Sequence, residues 1–201
     1  MRILRILPHS VGLIACLGGA ALAADPVHVR GTVQAVDGSR ITIAGNDGKT
    51  VALTLGDGWT VGGVAPASMA DIKPGSFIGT ANMAEGDANE ALEVVVFPEA
   101  LRGTGEGDRG WDLKPNSAMT NATVAEKVDG VSGPTVTLRY KGGEKKVSIP
   151  PETPIVTIVA AAASDVKPGV KVFAAGPLSS DGTTLTGGRL MVGKNGVTPP
   201  M

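Results

Sequence analysis

"DIKPGSF" (residues 71–77) and "DVKPGVKVF" (residues 165–173) are two copies of one turn sequence, 94 positions apart. Proline fixes φ and disfavours helix at the lysine before it, and the glycine after it can take the positive φ of a type II turn. We therefore predict that the chain reverses at each copy and then starts a new strand. The residues with this structural role are Asp71, Pro74, Gly75, Asp165, Pro168 and Gly169.

The sequence around each copy repeats as well. "GTVQAVDG" (31–38) matches "ATVAEKVDG" (122–130), and "RITIAGNDGKTVALTL" (40–55) matches "PTVTLRYKGGEKKVSI" (134–149). The separation stays between about 91 and 95 positions, as small insertions in turns would produce. The sequence therefore predicts a tandem duplication. Residues 65–75 also match residues 160–169, and residues 90–97 correspond more loosely to residues 184–192.

Each half has the pattern of a small β-barrel. Apolar residues alternate with polar ones in the hairpins, and Asn46-Asp47-Gly48 or Gly142-Gly143 supplies the hairpin turn. An Ala-rich stretch long enough for a turn or two of helix follows, and then come two more strands, with their turns at Gly86-Asp87 and Asp181-Gly182. Three strands, a short helix and two strands are the order of the OB-fold.

We therefore predict an all-β protein of two tandem five-stranded OB-like β-barrels, each with a short helix between its third and fourth strands. The first barrel spans residues 26–99 and the second spans residues 121–196, and residues 100–120 form the loop between them.

The turn motifs resemble those of an exported bacterial family of domains of unknown function. The resemblance is carried by Val-Asp-Gly, by Thr-x-Ile/Leu and by the Asp-x-Lys-Pro-Gly turn. It implies export and small OB-like barrels, and it supplies no catalytic residues. The segment 99–124 also resembles alphaproteobacterial proteins of similar length, some of which carry labels that link them to metal transport.

The N-terminus has the features of a secretory signal. Arg2 and Arg5 precede an apolar run, and Ala21-Leu22-Ala23 has the small-x-small pattern of a cleavage site, so we predict a signal peptide over residues 1–23 and a periplasmic protein. A lipoprotein anchored at Cys16 is the alternative. Cys16 is the only cysteine, so the mature chain has no disulfide and no thiol chemistry.

Charge argues against several classes of partner. Removal of Arg2 and Arg5 leaves 16 of the 18 basic residues against 19 acidic ones, a net charge of −3. A nucleic-acid-binding protein would show a basic excess on one surface, so we expect no nucleic-acid partner. No segment after the signal is long enough to span a membrane as an apolar helix. We expect an envelope protein or a small molecule as the partner, and no cofactor.

The chain lacks the residues of common catalytic sites. His28 is the only histidine outside the signal, and it lies near the mature N-terminus, where we expect a frayed or edge segment. A Ser-His-Asp apparatus and a Cys/His zinc site are therefore not expected. An all-oxygen Ca²⁺ site remains open because acids lie in Gly-rich loops.

The loop between the repeats is the best candidate for a site, because it combines an aromatic side chain with paired charges. Trp111 either packs between the two barrels or offers a stacking surface to a ligand whose anionic group Arg102 or Arg109 holds. We predict a non-catalytic binding or interaction module. The alternatives are a metal-handling accessory protein with carboxylate ligands and an envelope hydrolase with acids at the cleft. The candidate ligand-binding residues are Arg102, Glu106, Asp108, Arg109, Trp111 and Asp112.

Overall fold

The computed structural model describes residues 26–85, 88–180, 183–185 and 188–200 of the 201-residue chain. The predicted signal peptide, Cys16, and the predicted turns at Gly86-Asp87 and Asp181-Gly182 lie outside these ranges. The described part of the chain contains no helix that is long and apolar enough to cross a membrane.

The described residues form one 14-stranded sheet, with no α-helix. Its strands are β1 (Val27–Asp37), β2 (Arg40–Gly45), β3 (Thr50–Leu55), β4 (Thr60–Pro66), β5 (Phe77–Glu85), β6 (Ala88–Val96), β7 (Gly107–Trp111), β8 (Ser117–Val128), β9 (Thr135–Tyr140), β10 (Gly143–Ser148), β11 (Ile155–Ala160), β12 (Lys171–Gly176), β13 (Thr184–Leu185) and β14 (Arg189–Gly193).

Five of the strands close a mixed barrel. Strands β6, β5, β8, β9 and β10 pair antiparallel in that order, and a short parallel pairing of β10 with β6 closes the ring. The side chains inside it are aliphatic and at most 3% exposed. These buried residues are Ile72, Ile78, Ala91, Val94, Ala122, Val124, Val136, Leu138, Val147 and Ile149.

A second group of strands forms an open sheet at the other end of the molecule. Strands β3, β2, β1, β12 and β14 pair in that order, all antiparallel, and β13 adds to β3 in parallel. Its core joins Ile43 and Leu53 of the N-terminal hairpin to Val172 and Leu190 near the C-terminus. Among the described residues no pairing links β13 to β14, so a second closed barrel is not seen in this part of the chain.

The strands of the closed barrel come from both halves of the chain, which corrects the prediction of two tandem, self-contained barrels. Strands β5 and β6 belong to residues 26–99, and β9 and β10 belong to residues 121–196, while β8 begins in the predicted loop at Ser117 and continues into the second range. The open sheet also joins the two halves, because β1 of the first half pairs with β12 of the second and β3 of the first pairs with β13 of the second. Each half of the chain therefore completes the other's sheet.

The predicted short helices are also wrong. A single 3-10 turn stands at each place, Met69–Asp71 and Ala163–Asp165, and the residues before it form the strands β4 and β11. These strands pair antiparallel at the middle of the sheet, between β14 and β6. The Gly62-Gly63 pair hides the strand in the sequence, because glycine is rare in strands. The packing favours glycine at position 62, because a Cβ there would lie 2.8 Å from the sulfur of Met191.

The repeated turn is the point at which the chain passes to the other half. Gly75 and Gly169 have φ values of 89° and 88°, which lie in the left-handed region that favours glycine. The Gly75 amide donates to the carbonyl of Val124 in β8 at 2.8 Å, and the Gly169 amide donates to the carbonyl of Val33 in β1 at 2.9 Å. Each turn is therefore bonded to the first strand of the opposite repeat.

Candidate functional site

Arg102 holds the loop before β7 to the repeated turn. Its guanidinium donates to Glu99 at 2.6 and 2.7 Å and to the carbonyl of Gly75 at 2.8 Å. The hydrogen bond from Arg102 lowers the pKa of Glu99 and raises that of the arginine itself. Because this side chain is already used within the fold, the structure does not place Arg102 at a ligand site.

The two acids at the start of β7 also have partners within the fold. Glu106 accepts a hydrogen bond from the backbone amide of Lys141 at 3.0 Å. Asp108 accepts from the hydroxyl of Thr120 and from the ammonium of Lys145, both at 2.6 Å. These contacts fasten β7 to β8 and to the β9–β10 hairpin.

Asp112 joins the end of β7 to the start of β1. It accepts two hydrogen bonds from Arg30, at 2.8 and 3.1 Å, and its oxygen lies 3.0 Å from Nδ1 of His28. The Arg30 guanidinium is the main reason that the pKa of Asp112 is lowered to about 2, and His28 lowers it further. We expected His28 to lie on a frayed or edge segment, but it lies within β1, beside the ion pair of Arg30 and Asp112.

Trp111 packs where the closed barrel meets the open sheet. Its ring centroid lies 4.5 Å from that of His28, which in turn lies 5.4 Å from that of Phe173 in β12. The same apolar cluster includes Phe97 and Met191, so it draws residues from both halves of the chain. The packing role predicted for Trp111 is therefore present in the structure, and it leaves part of the ring facing a cleft.

This cleft has a volume of about 370 Å³ and is lined by Arg109 and Trp111 of β7. Its apolar wall adds Phe97, Ile158, Phe173 and Met191, and its basic side chains are His28, Arg109 and Arg189. None of the described residues that line it is an Asp or a Glu. A positive cleft on a chain with more acidic than basic residues favours an anionic ligand with an apolar part.

Within the described residues, the two arginines of the cleft have no carboxylate partner, unlike Arg30, Arg102 and Arg139. Arg102 and Arg139 each pair with a glutamate, whereas no acid among the described residues pairs with Arg109 or Arg189. Arg109 donates to the carbonyl of Gly105 at 2.9 Å and lies over the ring of Trp111, with 5.7 Å between its guanidinium carbon and the ring centroid. Desolvation lowers the pKa of Arg109, and the charge of Asp108 opposes this.

Two residues that line the cleft each have a buried polar atom with no hydrogen-bond partner among the described residues, the indole Nε1 of Trp111 and the amide Oδ1 of Asn121. Asn121 is 6% exposed, and its other amide atom, Nδ2, donates to the carbonyl of Thr104 at 3.0 Å. An unpaired buried polar atom costs about 1–3 kcal/mol. Such atoms are rare in native proteins, so two of them in residues that line one cleft mark it as unusual.

Of the six predicted residues, the structure places Arg109 and Trp111 on this cleft. Sequence reasoning missed His28 and Arg189, which come from strands far from residues 100–120. The available signal was alternation: Val27 and Val29 pack in the core of the open sheet, so His28 must face the other side of β1. That signal does not show which strands lie beside β1.

The carboxylates do not gather into a metal site. In the part of the chain that the structure describes, no group of three or more His, Cys, Asp or Glu side chains is placed to hold a metal ion. Glu106, Asp108 and Asp112 bind three different partners, Lys141, Lys145 and Arg30. The structure therefore offers no geometry in support of a carboxylate metal centre or a pair of catalytic acids at these positions.

No family model, no curated protein and no solved structure matches this chain. A function is therefore assigned from the charge, shape and packing of the cleft.

Proposed function

We propose that the protein is an exported, non-catalytic binding module, built from two duplicated OB-like units that exchange strands, and that its cleft binds a small amphipathic anion. The observation that carries this proposal is the lining of the cleft, in which two arginines that pair with no described carboxylate lie beside an aromatic and aliphatic wall. The ligand's acidic group would lie at Arg109 and Arg189, and its apolar part would lie against Trp111.

The dimensions and chemistry of the cleft are consistent with this use. Binding sites for small molecules have volumes of about 300–1,000 Å³ and combine a mostly apolar lining with a few polar groups. Each charged hydrogen bond from an arginine to an anion contributes about 1.5–3 kcal/mol. Because Arg109 is partly desolvated, a carboxylate, phosphate or sulfonate would also replace the water that it has lost.

A titration with anilinonaphthalene sulfonate tests the proposal, because this dye pairs an aromatic surface with one negative charge. We expect a dissociation constant of about 10–100 μM, measured by dye fluorescence. Arg109→Gln and Arg189→Gln should each weaken binding by about tenfold, the loss of about 1.4 kcal/mol. Both arginines are exposed, so neither change should affect folding.

Two controls make the titration specific. Arg40→Gln removes an exposed arginine of β2 that does not line the cleft, and it should leave the dissociation constant unchanged. N-phenylnaphthylamine, the uncharged analogue of the dye, should bind at least about tenfold more weakly to the unaltered protein. Equal binding of the charged and neutral dyes, or equal effects of Arg40→Gln and Arg109→Gln, would refute the anion site.

A further inference from the structure

Strand β7 has a free edge beside the cleft. It pairs with β8 over Gly107–Trp111, and no other strand among the described residues pairs with it. In a strand that is paired on one side, alternate residues direct their amide and carbonyl groups away from the partner. These groups must bond to water or to an added strand.

The two faces of β7 have different roles. Asp108 lies on one face and is fixed by Lys145, while Arg109 and Trp111 line the cleft. Neighbouring strands of a sheet lie about 4.8 Å apart, and their side chains alternate between its two faces. A strand added to the free edge would therefore place every second side chain on the cleft side, next to Arg109 and Trp111.

Nothing on β7 blocks such an addition. Protected edge strands carry proline, bulges or projecting lysines. Here Gly107 and Gly110 have open space where a Cβ would stand, with no atom within 4 Å, and the side chain of Asp108 is held by the ion pair with Lys145 at 2.6 Å. The residues from Asp108 to Gly110 are exposed.

We propose that the ligand of this cleft is an extended peptide that adds as a strand to the free edge of β7 and places a carboxylate at Arg109 and Arg189. This inference rests on the proposed function and narrows the amphipathic anion to one chemical class. Backbone pairing with β7 supplies affinity that does not depend on sequence, and the cleft selects one acidic and one apolar group. The described residues that line the cleft include two arginines and no acid, so their charge is complementary to that of such a peptide.

Amide hydrogen exchange of the intact protein tests the proposal. The probe is a pool of acetylated pentapeptides with a free carboxyl terminus, in which each position is Val, Thr, Phe or Glu. The control pool has Gln in place of Glu and an amidated terminus, so it is uncharged. The acidic pool should slow exchange of the alternate, outward-facing amides of β7 by about tenfold or more, and the neutral pool should not.

The peptide of the acidic pool that binds most tightly is then made in two forms. One form is N-methylated at its odd positions and the other at its even positions. Strand pairing uses only one of these sets, so one form should lose about tenfold or more in affinity and the other should bind as before. Arg109→Gln should weaken the peptide as it weakens the dye, while Arg40→Gln should change neither.

The outcomes separate the two proposals. If the β7 amides stay unprotected, or if both N-methylated forms bind equally, the peptide is the wrong ligand, while a dye titration that responds to Arg109→Gln still supports the anion site. If the dye and the peptides are both indifferent to Arg109→Gln, the proposed function and this inference both fail.

Discussion

Asp112 shows how a single side chain connects distant parts of this chain. Its carboxylate binds Arg30 and His28, which lie on one face of β1, and so fixes the end of β7 beside the first strand. This contact positions Trp111 next to His28 at the wall of the cleft. Asp112 is not among the residues that line the cleft, but it holds two that do, His28 directly and Trp111 through the end of β7.

We expect Asp112→Asn to destabilise the protein only where the carboxyl is ionised. Its folded-state pKa is lowered from 3.8 to about 2, so its contribution to stability is present above pH 4 and is lost as the pH falls through about 2. Half of the Asp112 side chain is exposed, and after a discount for solvent screening the contribution is about 1 kcal/mol. Urea unfolding at several pH values measures it, and a difference from the unaltered protein that did not decrease between pH 4 and pH 2 would contradict this expectation.

Gly31 is a second residue whose identity is fixed by its surroundings. A Cβ at this position of β1 would overlap the carbonyl oxygen of Ala44 in the adjacent strand, and backbone cannot yield as a side chain can. We expect Gly31→Ala to lower the free energy of unfolding by about 2 kcal/mol or more. Gly110→Ala, which meets open space, is the matched control and should cost less than about 0.5 kcal/mol. Chemical denaturation of both variants compares the two costs.

At the scale of elements, the repeated turn has the same task in both halves. Gly75 and Gly169 take nearly the same positive φ, and each bonds to the first strand of the opposite repeat. The aspartates of the two turns also act alike, because each accepts a backbone amide at the start of its 3-10 turn at 2.8 Å. For Asp71 this bond is the main cause of a lowered pKa.

Alanine at either turn glycine should therefore have a similar cost. An L-residue in the left-handed region is strained by about 1–2 kcal/mol. We expect Gly75→Ala and Gly169→Ala each to destabilise by about that amount, and the double variant by about the sum, because distant sites act independently. Thermal unfolding of the three variants tests this. A cost at one turn only would show that the two turns are not equivalent.

The elements also show what the sequence can predict. The β2–β3 and β9–β10 hairpins and the two turns were predictable, because their signals are local: alternation, and glycine where the chain reverses. Strands β4, β7 and β11 were not predicted, because Gly62-Gly63, Gly107 and Gly110 weaken their pattern and an Ala-rich stretch suggested helix. Of the residues that line the cleft, Arg109 and Trp111 were among the predicted residues because they lie in the unusual loop. His28 and Arg189 were not, because they reach the cleft only through long-range pairing.

At the scale of the molecule, the exchange of strands could not be predicted from the sequence of either half. The two halves have the same order of elements, so the last strands of a half can complete its own sheet or the other one with similar local contacts. The choice depends on the antiparallel pairing of β4 with β11, which ties the halves together at the middle of the sheet. Nothing in a local pattern encodes that pairing.

The exchange predicts which pieces of the chain can fold alone. A fragment of residues 67–152 contains all five strands of the closed barrel and every residue of its aliphatic core. It should give dispersed NMR spectra and a cooperative urea transition. The fragment 121–196, which matches a sequence repeat, lacks β5 and β6 and so lacks Ile78, Ala91 and Val94 of that core. It should stay unfolded.

A mixture of fragments supplies the complementary test. Residues 26–99 and 121–196 should each be unfolded alone and should regain β-structure by circular dichroism when combined, because each supplies strands that the other's sheet lacks. Independent folding of either one would mean that the strands can pair within their own repeat.

The placement of β12 and β14 has a consequence for how the chain matures. Any machinery that delivers the polypeptide from its N-terminal end releases residues 27–55 early, yet the apolar face of those strands is covered only when residues 171–193 arrive. Through most of delivery, Ile43 and Leu53 have no cover from those later strands. The interval in which the chain is most open to proteases and to self-association thus ends only with the emergence of its final segment.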